Sequence, residues 1–90
     1  MERSTDLSPA WRRADEDRVD AQLLALAAEE AERLAPACEG WPADRFQALA
    51  FSAALIVLKG TLGPYAYSAL RRRYDADRTG FTSRLAARDL

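Results

Sequence analysis

Ninety residues carrying 30% charged side chains and a net charge of −1 are enough for one small domain. The absence of histidine removes the commonest general base and metal ligand, and the single cysteine, Cys38, excludes an internal disulfide. Those two facts speak against an enzyme, a Cys/His zinc site and a disulfide scaffold, and they favour a cytoplasmic setting with no cofactor.

Apolar residues make up 49% of the chain, but nineteen of them are alanine, which favours helix and permits close helix approach. With only two valines, one isoleucine and no period-2 alternation, the sequence predicts an all-α fold. The expected form is a compact bundle of three main helices plus a short C-terminal helix. Abundant Ala and Arg suggest a GC-rich, bacterial genome. Charge is unevenly spread: residues 1–40 carry ten acids and five arginines, and residues 61–90 carry six arginines and three aspartates. An acidic front half and a basic tail can attract each other within one molecule or between copies.

Residues 1–7 read as a flexible, charged leader without the apolar core of a secretion signal, followed by a single helical domain over 8–90. Ser8-Pro9 is a helix start, serine as cap and proline in the first turn. The first helix is predicted to reach Leu34, with Val19, Leu23, Leu26 or Ala27, Ala31 and Leu34 on one apolar stripe, extended more weakly by Trp11 and Ala14. The acids Asp15–Asp17 mark the one place where this helix would break. Pro36, Gly40 and Pro42 then punctuate a loop, with Trp41 expected to fold onto the edge of the core.

The second helix, about Ala43 to Lys59, is apolar on most sides. Phe46, Leu49, Ala50, Ala53, Ile56 and Val57 form one face; Phe51, Ala54, Leu55 and Leu58 form another. The greasy run from Phe46 to Leu58 is 13 residues, short of the roughly 20 needed to span a bilayer, so no membrane is expected. Gly60 is placed as a left-handed helix cap and Pro64 in the first turn of a third helix over about 64–75, striped by Tyr67, Leu70 and Tyr74. Gly60 and Gly63, with Lys59 beside them, have a Gly-x-x-Gly spacing that reads as a helix–helix turn. A last helix from Thr82 or Ser83 to Arg88 brings Phe81 and Leu85 to the core.

Three functional readings follow. A small domain struggles to enclose a helix that is apolar all round. The first reading is therefore a non-enzymatic interaction or self-assembly module, a homodimer or a subunit of a larger complex, with Phe51, Leu55 and Leu58 as contact residues and Trp41 and Trp11 as additions. The second is a nucleic-acid-binding regulator gripping phosphates with Arg71, Arg72, Arg73 and Arg78, in which helices two and three resemble a helix-turn-helix. The third concerns 75–86, whose spacing resembles an EF-hand calcium loop: Asp75, Asp77, Thr79 and Ser83 fall at ligand positions and Gly80 at the turn. Position 12, which should hold a bidentate glutamate, is Ala86, so the resemblance implies a degenerate site at most.

Overall fold

In a computed structural model the described residues run from Pro9 to Arg88, with side chains described from Arg13. The expected leader over 1–7 and the side chain of Trp11 lie outside them. Four α-helices carry the described chain and no strand occurs in it: α1 (Pro9–Leu34), α2 (Ala43–Thr61), α3 (Pro64–Ala76) and α4 (Arg78–Arg88). The all-α bundle expected from composition and periodicity is the fold observed.

Helix α1 runs unbroken through Asp15–Asp17. Arg18 pairs with Asp15 one turn back, and Arg33 pairs in the same way with Glu30. Such i,i+3 pairs offset the repulsion within the acidic cluster that would otherwise weaken the helix there. A short 3₁₀ turn, Ala35–Cys38, leads out of α1, and Gly40 at φ 88° reverses the chain in a conformation that side-chain-bearing residues rarely adopt. The Trp41 amide donates to the Cys38 carbonyl at 3.0 Å, and Cys38 itself is buried.

Helix α2 passes straight through Gly60, which is not the left-handed cap expected of it, and stops after Thr61. The cause lies downstream. The residue before a proline is pushed out of the helical region, and Gly63, before Pro64, sits at φ −66°, ψ 161°. Leu62 is also extended, and its amide closes α2 on the Leu58 carbonyl at 2.8 Å. Helices α3 and α4 are joined by one residue, Asp77, so α4 begins four residues earlier than expected.

The core is an aromatic triad with one ring from each of three helices. Phe51 of α2, Tyr74 of α3 and Phe81 of α4 have ring centroids 5.1, 6.3 and 5.6 Å apart for the pairs 51–74, 51–81 and 74–81. Two of these contacts are edge-to-face, the arrangement the ring quadrupole favours. Leu23, Leu24 and Ala27 of α1, Ala54, Leu55 and Leu58 of α2, Leu70 of α3 and Leu85 of α4 complete it. Each large side chain removed from water here contributes about 1.5–3 kcal/mol.

Candidate functional site: the outward face of α2

The two apolar faces of α2 have opposite fates. Ala50, Phe51, Ala54, Leu55 and Leu58 point into the bundle and are buried within a single chain. This corrects the assignment of Phe51, Leu55 and Leu58 to a contact surface: they fill the space between α1, α3 and α4, and a partner cannot reach them. One chain encloses that face because α2 packs mainly along the long α1 while the aromatic rings of α3 and α4 close over it.

The other face stays open. Phe46, Leu49 and Ala53 are half-buried, Val57 is 42% exposed and Ile56 is 72% exposed. Their spacing places all five on one side of the helix, away from Phe51. The exposed Lys59 borders Ile56 one turn on. Trp41, expected at the core edge, is 43% exposed and sits just ahead of α2; Tyr65, at the start of α3, is 91% exposed. The residues that sequence reasoning misses, Ile56, Val57 and Tyr65, carry no signal of their exposure. A helix apolar on both sides bears no mark of which side its neighbours will take.

The four arginines do not form a free array. Arg73 is half-buried and turned inward, donating from Nε and Nη2 to Asp20 Oδ1 of α1 at 3.1 and 2.7 Å, with Glu16 3.6 Å from Nη1. Arg71 donates to Asp75 at 3.3 Å, and Arg78 donates to Asp75 at 3.0 Å while its guanidinium lies 5.3 Å from the centre of the Tyr74 ring. Asp75 is correspondingly held below the usual carboxylate range, first by the hydrogen bond from Arg78. Only Arg72 of the four is exposed without an ion pair among the described residues. Of the four phosphate-gripping candidates, Arg73 alone is turned into the bundle; Arg71 and Arg78 stay exposed and share the single carboxylate of Asp75.

The calcium reading is also corrected. Thr79, Gly80 and Ser83 lie in helix α4, so the loop that would wrap an ion is not formed. Asp77 is the cap of α4 instead: its Oδ1 accepts the Gly80 amide at 3.1 Å, and its carbonyl accepts the Phe81 amide at 3.1 Å. A Cβ at Gly80 would meet the Asp77 carboxylate in its present rotamer, so a larger residue here makes that side chain shift. Asp75 faces Arg71 and Arg78, while Thr79 and Ser83 line a cleft of about 410 Å³ with Asp44 and Gln47. Among the described residues no group of three or more His, Cys, Asp or Glu side chains is placed to hold a metal. No described helix is long and apolar enough to cross a membrane. Comparison with protein-family models, with curated proteins and with solved structures found no match for this chain.

Proposed function

We propose that this chain is a small, non-enzymatic helical module that associates with a second copy of itself through the outward face of α2. The reading rests on one observation: on the outward face of α2, beside the half-buried Phe46, Leu49 and Ala53, Ile56 is 72% exposed and Val57 42% exposed. Single exposed apolar residues are ordinary; a stripe of them along one helix face is the pattern of an interaction surface. Burying Ile56 and Val57 between copies contributes about 1.5–3 kcal/mol each, the scale that decides whether a small domain is found alone or paired. A cytoplasmic location belongs to the same proposal, on the ground that the chain has one cysteine and no disulfide to maintain.

The experiment is sedimentation velocity across a micromolar concentration series. The wild type is expected to sediment above its 10.0 kDa monomer mass, and Ile56→Glu with Val57→Glu to return it to monomer with the helical signal intact. A wild type that remains monomeric at every concentration overturns the reading.

A further inference from the structure

We propose that the cleft between the first turns of α2 and α4 binds a small zwitterion, an α-amino acid, with its ammonium on Asp44 and its carboxylate on Arg78 and the Tyr74 hydroxyl. The cleft has a volume of about 410 Å³. Asp44, Gln47 and Ala48 of α2 precede Phe51 by seven, four and three residues, so they share its inward face and not the face that carries Ile56. That inward face is apolar where the bundle closes over Phe51 and turns polar toward its N-terminal end. Tyr74 of α3, with Arg78 and Thr82 of α4, lines the opposite wall. A site here is separate from the self-association proposed above and does not depend on it.

Tyr74 is the side chain that points to a ligand. It is only 6% exposed, and its hydroxyl makes no hydrogen bond among the described residues. Phe51 and Phe81 pack on its ring and the Arg78 guanidinium stands over it at 5.3 Å, so the hydroxyl end is what the side chain has left to line the cleft. A buried phenol without a partner is destabilising, and an acceptor bound in the cleft relieves that. The hydroxyl donates, so the ligand group beside it is an acceptor, and a carboxylate is the strongest of the common ones.

The two walls carry opposite charges. Arg78 reaches Asp75 through Nη2 at 3.0 Å, while its Nε and Nη1 make no hydrogen bond among the described residues. Asp75 and the Tyr74 ring hold the guanidinium in place before a ligand arrives, and such preorganisation favours binding. Asp44, on the facing wall, has no ion-pair partner among the described residues. A ligand with an ammonium and a carboxylate on neighbouring atoms answers both walls at once. An inorganic anion would meet repulsion from Asp44, and a simple amine would leave the Tyr74 hydroxyl without an acceptor.

The test is a titration of the free proteinogenic amino acids, each to about 10 mM, into the isotope-labelled full chain, read by amide chemical shifts. At least one is expected to give saturable shifts confined to residues 44–48 and 74–83. The N-acetyl and the carboxamide derivatives of that amino acid each lack one charge and are expected to bind about tenfold more weakly. Asp44→Asn is expected to weaken the parent ligand by a similar factor of about ten. Tyr74→Phe keeps the ring and removes only the hydroxyl; it is expected to cost about fivefold in affinity at an unchanged helical signal. No saturable shift from any amino acid, or shifts that map elsewhere on the chain, overturns the site. Derivatives that bind as well as their parent overturn the zwitterion, and a Tyr74→Phe protein that binds as tightly as the wild type overturns the role of the hydroxyl.

Discussion

Arg73 of α3 and Asp20 of α1, 53 residues apart in sequence, meet through two hydrogen bonds into one carboxylate oxygen, at 3.1 and 2.7 Å. Asp20 is the one charged residue buried among those described, so this pair is a bolt between helices rather than a surface decoration. Removing one partner strands the other's charge, which costs more than the pair itself is worth. Arg73 is still partly open to water, and that tempers the loss. Arg73→Ala and Asp20→Ala are each expected to destabilise by about 2 kcal/mol, and the double variant by clearly less than the sum. Arg72→Ala, one residue away, is expected to stay within about 0.5 kcal/mol. Urea melts of the four variants against the wild type decide the matter; additive losses would mean that the pair does not couple.

Phe51 belongs to the aromatic triad and not to a contact surface. Phe51→Ala and Phe81→Ala are expected to cost about 3–5 kcal/mol each, enough to unfold much of a small domain. Phe51→Leu should cost markedly less. The readout is near-UV circular dichroism with thermal melting. A Phe51→Ala protein that keeps its melting temperature and loses only its association would return Phe51 to the interface.

The Asp77 cap and Gly80 are coupled through the Asp77 carboxylate. Glycine to alanine inside a helix ordinarily stabilises by about 0.5–1 kcal/mol. Gly80→Ala is expected to gain clearly less than that, because the new Cβ makes the capping carboxylate shift and weakens the cap. Asp77→Ala is expected to lose about 1 kcal/mol of capping. Once the carboxylate is gone, adding Gly80→Ala should recover part of that loss. Millimolar calcium is expected to leave the melting temperature of the wild type where it was, since the same residues are a cap and not an ion loop; a calcium-dependent rise would contradict that assignment.

Tyr74 gives the fold an alkaline limit. Burial raises its phenol above the ordinary value of 10.0, with Arg78 the main opposing influence. A raised acid prefers its neutral form in the folded state, so the contribution is complete below the unfolded-state value and lost as pH climbs through the folded-state value. The melting temperature should therefore fall above about pH 10, and Tyr74→Phe should flatten part of that fall. An identical alkaline profile in the two proteins would assign the loss to other groups.

Legibility differs element by element. The stripe over Val19–Leu34, the proline start of α3 and the roles of Leu70, Tyr74, Phe81 and Leu85 can be read directly, because helical spacing and proline chemistry act over a few residues and carry their own signature. The start of α4 misleads because Asp77 and Gly80 look alike as an ion loop and as a cap; only the backbone geometry around them separates the two. Sequence by itself determined that this chain is helical and roughly where each helix lies, since propensity and periodicity are local. Tertiary structure decided which side of α2 is core, that Arg73 turns inward to Asp20, and that Ile56 and Val57 remain outside. Those outcomes depend on which helices pack against which, and packing is settled by contacts between residues far apart along the chain.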